Sequence, residues 1–204
     1  MVLSYQTHTT NVRLVTEEDA GKGIVKERDY EDVDGLITNI PGITLVTFYA
    51  DCVPLYFLDP IHQAIGLSHS GWRGTVKRMG EVTVKKMEEA FGTKAEDVIA
   101  CIGPSICKEC YEVGIEVAQE FMKGFDKKHW GDILSEKTDG KYLLDLWRTN
   151  EIVLLESGIK QENIQVTDIC THCNSDLLFS HRTTGNERGN LAAFLGIAEK
   201  TKGI

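Results

Sequence analysis

The chain has 204 residues, 42% of them hydrophobic, which suits one globular domain with a core of its own. Its net charge of −9 argues against a nucleic-acid partner, because neutralising a phosphate backbone takes clustered Lys and Arg, so small molecules or proteins are the better partners. No apolar run approaches the roughly 20 residues that span a bilayer, and Met1 to Gln6 lacks a basic stretch followed by an apolar one; a cytoplasmic protein without a membrane partner is expected.

In chain order, Ile43 to Tyr49 alternates and is rich in β-branched and aromatic residues, and Val53 to Leu58 and Ala64 to Leu67 are short apolar runs, so all three read as strands. From Thr75 to Phe91 the apolar residues Val76, Met79, Val82, Val84, Met87 and Phe91 fall between charges, with Gly92 placed to stop the run, which predicts one amphipathic helix. Val98 to Ile102 is a strand, 113–125 and 145–157 are helices with Gly158 ending the second, and 164–167 and 191–195 are strands. Strands and helices mix without a regular βαβ rhythm, and no repeat or linker marks a boundary, so the expectation is an α+β fold in one unit.

The six cysteines point to metal or catalysis rather than to disulfide staples, which a chain with an ordinary core does not need. Cys52 and His69 lie equally far from the turn signal Asp59-Pro60-Ile61-His62, so a regular hairpin sets them directly opposite each other on one face. Alone, Cys52 is as well explained as a small buried hydrophobe and His69 as a hydrogen-bonded turn residue; together they are a plausible pair of zinc ligands. His69 also opens His69-Ser70-Gly71-Trp72-Arg73-Gly74 before a helix, where free N–H groups and Arg73 could receive a phosphate or carboxylate, although the glycines could equally serve only to turn the chain.

Two C-x-x-C pairs, Cys107/Cys110 and Cys170/Cys173, are the main competing metal site, with His172 as a spare ligand. Against a shared site, Cys110 sits in Cys110-Tyr111-Glu112-Val113-Gly114 ahead of a helix rather than in a tight glycine-bearing turn. The strings Asp168-Ile169-Cys170-Thr171 and Phe179-Ser180-His181-Arg182 fit either side chains entering a cleft or solvated loops.

Six strings in order, Gln6-Thr7-His8, Ala50-Asp51-Cys52-Val53-Pro54, His69 to Gly74, Ile102-Gly103-Pro104, Cys110 to Gly114 and Phe179 to Arg182, make the chain similar over nearly its whole length to the YfiH/YlmD family of laccase-like polyphenol oxidoreductases, since associated with purine nucleoside phosphorylase activity. The resemblance implies a YfiH-like layered sandwich of mixed β-sheets flanked by helices, and adds His8 to Cys52 and His69 as the third ligand of a zinc ion with an open fourth position. It implies phosphorolysis of adenosine, inosine, guanosine and methylthioadenosine, with adenosine deamination as a second activity. Arg73 and Arg182 would hold phosphate, and with Cys52 and His69 would form the catalytic set. Family members carry a further N-terminal stretch, so residues 1–204 are expected to form one family-like domain lacking it. Thr9 stands where the family usually has Gly after the histidine, and Cys107 where Gly is common.

Two other readings stay open. Cys52 and His69 could serve as nucleophile and base of a thiol hydrolase or deamidase, or the zinc could stabilise a non-enzymatic binding protein. Multicopper oxidation is disfavoured, because six histidines, with His62 and His129 in unrelated contexts, are too few and too scattered for several coppers.

Overall fold

The computed structural model describes residues 1–198. The strands are β1 (Val2–Leu3), β2 (Val12–Leu14), β3 (Gly35–Thr38), β4 (Thr44–Tyr49), β5 (Val53–Asp59), β6 (Ala64–Ser70), β7 (Ile99–Ile102), β8 (Glu112–Val113), β9 (Leu134–Glu136), β10 (Tyr142–Leu144), β11 (Ile164–Val166) and β12 (Leu191–Gly196). The helices are α1 (Trp72–Val76), α2 (Met79–Phe91), α3 (Ile115–Gly124), α4 (Trp130–Ile133), α5 (Leu146–Glu156) and α6 (His181–Thr184). A mixed sheet runs β11-β7-β5-β6-β3-β2, a second β1-β4-β12, and a small antiparallel one β8-β10-β9. The expected α+β layering of mixed sheets and helices is present.

The central strands explain the layers. Every residue of β6 is buried, yet its two faces differ in kind. Ala64, Gly66 and Ser68 point towards α2: a Cβ on Gly66 would meet Met87 and Thr83, and the Ser68 hydroxyl lies 2.7 Å from that of Thr83. Ile65 and Leu67 point the other way and join Leu45 and Tyr49 of β4 in the core between the sheets. On β5, Val53, Leu55 and Phe57 share the helix-side core, while Tyr56 and, just before the strand, Cys52 pack against the inter-sheet core. Period-2 alternation thus puts Cys52 and His69 on the face towards the second sheet, at one end of the strands.

The helix expected from Thr75 to Phe91 is instead broken into α1 and α2. Arg78 takes a left-handed backbone (φ 63°) and is held there by ion pairs to Glu81 and Glu156, the latter at 2.8 Å. The break seats α2 on α5 so closely that a Cβ on Gly80 would lie 2.9 Å from Leu154 Cδ2. The next helix begins at Ile115 rather than Val113, because Val113 pairs with Tyr142 in the small sheet. The last long helix starts where Asp145 accepts the Arg148 N–H, and Gly158 (φ 98°) follows its end.

Candidate metal centre and its cavity

The β5–β6 register pairs Val53 with Ser70 and Pro54 with His69, so Cys52 and His69 are diagonal neighbours rather than directly opposed. The reason lies in the turn. The Asp59 carboxylate accepts the N–H groups of Ile61 and His62, and Gln63 turns left-handed (φ 51°), which shifts the loop centre past the position that the sequence suggests. The residue opposite Cys52 is therefore Gly71, and its missing side chain matters. A Cβ there would come within 2.9 Å of both Cys52 Sγ and His8 Cδ2.

His8, Cys52 and His69 each offer a ligand atom, and these atoms all lie within 4.8 Å of one another. His8 Nε2 is 3.9 Å from Cys52 Sγ, and the two imidazoles meet edge to face with centroids 4.9 Å apart. What brings His8 in is Asp34, a fully buried residue that the sequence reading missed. Its carboxylate accepts the backbone N–H groups of Thr7, His8 and Thr9 and the Thr9 hydroxyl, pinning the N-terminal segment with His8 in a left-handed conformation (φ 65°). Thr9 thereby gives Asp34 a hydroxyl as well as a backbone N–H.

Asp34 also takes the second nitrogen of His69, with Nδ1 2.8 Å from Oδ1. That bond fixes the imidazole and leaves Nε2 to face Cys52 and His8, the arrangement by which a carboxylate orients a metal-bound histidine. Burial works against an ionised Cys52, but His69 and His8 outweigh it and lower the thiol from 9.0 to about 6. Burial likewise opposes charging of His69, and Cys52 with Asp34 overcomes it, raising the imidazole from 6.5 to about 9. A low-lying thiolate flanked by two oriented imidazoles is a donor set that could hold a divalent metal.

His8 and Cys52 line a cavity of about 340 Å³, together with Trp72, Arg73, Tyr111, His181, Arg182 and Arg188, and His69 lies buried behind them. Arg73 lies over the Trp72 ring and Arg182 over the Tyr111 ring, at 4.3 and 5.3 Å. The structure thus brings both expected arginines to the metal-ligand candidates, on side chains rather than at the end of the short helix α1. Arg188, Tyr111 and His181 also line the cavity; Tyr111 and His181 lie in stretches that carry the family resemblance, whereas nothing local marks Arg188. Asp51 joins the walls. It is left-handed (φ 82°), and its carboxylate accepts the Thr171 hydroxyl and the Arg182 N–H, both at 2.6 Å.

The four cysteines read as unlikely to share a site do meet: the thiols of Cys107, Cys110, Cys170 and Cys173 lie within 4.8 Å of one another. No glycine is required, because Cys107 to Cys110 closes as a short 3₁₀ turn, and parallel pairing of β7 with β11 brings the two following loops together. His172 is not among the four; its Nδ1 contacts the Thr183 hydroxyl. Among the described residues no helix is long and apolar enough to cross a membrane.

Known proteins are similar to this chain in sequence and fold. The chain is 36% identical to the purine nucleoside phosphorylase YlmD of Bacillus subtilis over 203 residues, spanning 97% of this chain and 71% of the relative. It is 34% identical to the adenosine deaminase RL5 of an unknown prokaryotic organism, spanning 98% and 75%. The crystal structure of YlmD from Geobacillus stearothermophilus superposes with a TM-score of 0.90 at 32% identity, covering 97% of this chain and 73% of that one. Residues 1–198 match the family described as multi-copper polyphenol oxidoreductase laccase, and the chain belongs to that family.

Proposed function

We propose that this chain is a single-domain, zinc-dependent purine nucleoside phosphorylase acting on adenosine, inosine, guanosine and methylthioadenosine, with adenosine deamination as a second activity of the same cavity. The observation that carries the reading is the convergence of His8, Cys52 and His69 at the edge of a cavity into which Arg73, Arg182 and Arg188 also face. The names of the relatives support the substrate class.

In phosphorolysis a phosphate oxygen bonds to C1′ of the ribose while the C1′–N9 bond breaks, its electron pair leaving with the base, which then takes up a proton. Phosphate brings negative charge that Arg73 and Arg182 hold, and their planar guanidinium groups suit its oxygens. Trp72 and Tyr111 offer aromatic faces for the purine, and His181 stands among the lining residues as a proton donor for the departing base. His8, Cys52 and His69 would hold a zinc ion, which would supply a Lewis acid to the reaction.

Zinc is favoured over several coppers because only His8 and His69 converge. Of the other histidines, His62 contacts Asp59, His129 contacts Glu156, His172 contacts Thr183 and His181 contacts Arg188. One observation favours a second reading: Asp34, His69 and Cys52 form a carboxylate–imidazole–thiol line that would also serve a thiol nucleophile. His8 argues for the metal, since a nucleophile and its base need no second imidazole on the sulfur.

The test is phosphate-dependent release of free base from adenosine and inosine, with ammonia followed in parallel and zinc measured in wild type and Cys52→Ala. The expected result is base release only with phosphate, and loss of both activity and that zinc in the variant. Activity that survives chelation but not alkylation would establish the thiol reading. Bound zinc without turnover of any nucleoside would leave a binding protein.

A further inference from the structure

The four-cysteine cluster lies outside the cavity and has no part in the reaction proposed above. Cys107 and Cys110 follow β7, Cys170 and Cys173 follow β11, and an isolated bridge between Ser105 and Cys170 extends the parallel pairing of those strands towards the thiols. All four cysteines are free, and the contact between Cys110 and Cys173, 3.4 Å between sulfurs, is far longer than a disulfide bond.

We infer that Cys107, Cys110, Cys170 and Cys173 form a closed tetrathiolate zinc site that clamps the loop carrying Tyr111, which lines the cavity, to the loop carrying Thr171, which holds Asp51. Tetrahedral zinc with Zn–S bonds of about 2.3 Å sets sulfurs about 3.8 Å apart, so thiols already within 4.8 Å need little movement to close on an ion. Two C-x-x-C pairs supply all four ligands and leave no open position, which is the structural form of a zinc site.

The backbone is arranged for thiolates as well. Cys170 Sγ accepts the N–H groups of Cys107 and Cys173 at 3.3 and 3.4 Å, so two backbone donors face a sulfur on which negative charge would collect.

The clamp has an evident load. Tyr111, beside Cys110, lines the cavity, and Thr171, beside Cys170, donates to Asp51. Apart from the thiols, the two loops are joined through Ser105, whose N–H donates to the Ile169 carbonyl and whose carbonyl accepts the Thr171 N–H, both at 3.1 Å.

The experiment uses the full chain carrying Cys52→Ala, purified under reducing conditions, so that the cavity site contributes no metal and the outcome does not depend on the phosphorylase reading. One molar equivalent of zinc, with an X-ray absorption first shell of sulfur alone at about 2.3 Å, is expected. Adding Cys173→Ser should remove that equivalent and raise hydrogen exchange at 105–111 and 170–174 while leaving β5 and β6 protected. No bound zinc, a shell dominated by nitrogen and oxygen, or a visible iron–thiolate chromophore in place of zinc would overturn the assignment. So would a disulfide between Cys110 and Cys173 in the freshly reduced chain. If the double variant does not fold, the metal content and shell of the Cys52→Ala chain still decide.

Discussion

Gly71→Ala changes no proposed ligand, yet should weaken the cavity metal site. The backbone at Gly71 (φ −69°, ψ 174°) is one that alanine adopts freely, so the substitution carries no conformational strain. The new methyl would lie 2.9 Å from both Cys52 Sγ and His8 Cδ2, whereas ordinary contact begins near 3.4 Å, so both donors must retreat by about 0.5 Å. Overpacking of this kind costs about 1–3 kcal/mol, and at 1.4 kcal/mol per factor of ten the expected loss of zinc affinity is about 10- to 100-fold. Competition with a chromophoric chelator measures it, read against the Cys52→Ala chain, which lacks the cavity site. Gly74→Ala is the control: its Cβ would meet nothing nearer than 3.6 Å, and affinity should stay within about twofold. A Gly71→Ala protein that holds zinc as tightly as wild type would refute the idea that Cys52 and His8 share one ion.

Asp34→Asn keeps the side-chain shape but removes the carboxylate that orients His69 and anchors the 7–9 segment; zinc affinity should fall about 10- to 100-fold, with calorimetry as the readout. Arg73→Ala should raise the KM for phosphate in steady-state base release while leaving zinc content unchanged, and lost zinc would show the arginine to be structural instead. Leu67→Ala empties a fully buried position between the two sheets and should cost about 2–5 kcal/mol by urea denaturation. Asp19 gives a pH prediction. Its burial raises the carboxyl, but hydrogen bonds from Arg13 and Lys22 outweigh this and hold it well below its ordinary 3.8. A depressed folded value stabilises above the unfolded one, so Asp19→Asn should cost about 2 kcal/mol at neutral pH, with the difference from wild type shrinking as pH falls through and below 3.8.

The site is partly legible in the sequence for a reason that lies in strand periodicity. Placing Cys52 directly opposite His69 misjudges the β5–β6 pairing by one residue on each strand. Two such steps leave the parity unchanged, so both side chains stay on the same face and the inference that they meet survives the wrong register. A slip on one strand alone would have sent one of them to the helix layer. Asp34 has no such protection. Its role depends on β3 lying beside β6 and on the 7–9 segment folding back over it, and neither is encoded by local spacing. The short strands β1 to β3 and β8 to β10 escape for a related reason: two to four residues carry too little alternation to announce themselves. The break at Arg78 is set by Glu156 on α5, a partner 78 residues away.

The two cysteine-bearing clusters are joined through Asp51, and that link explains why a costly backbone is kept there. A non-glycine residue in the left-handed region costs about 1–3 kcal/mol and persists only where its surroundings require it. Asp51 precedes Cys52 in the chain, and its carboxylate holds Thr171, the neighbour of Cys170, and the backbone of Arg182. A displacement of the loop that carries Cys170 therefore acts on Thr171, then on Asp51, and so on the residue that carries the Cys52 thiol and on the arginine across the cavity. Cys52 at the start of β5 and the Tyr111 and Arg182 side chains line the same cavity, and Asp51 stands between the elements that carry them. Holding these groups at the separation a substrate needs takes a tie on each side of Asp51: the hydrogen-bonded strand register on one, and a closed tetrathiolate ion on the other.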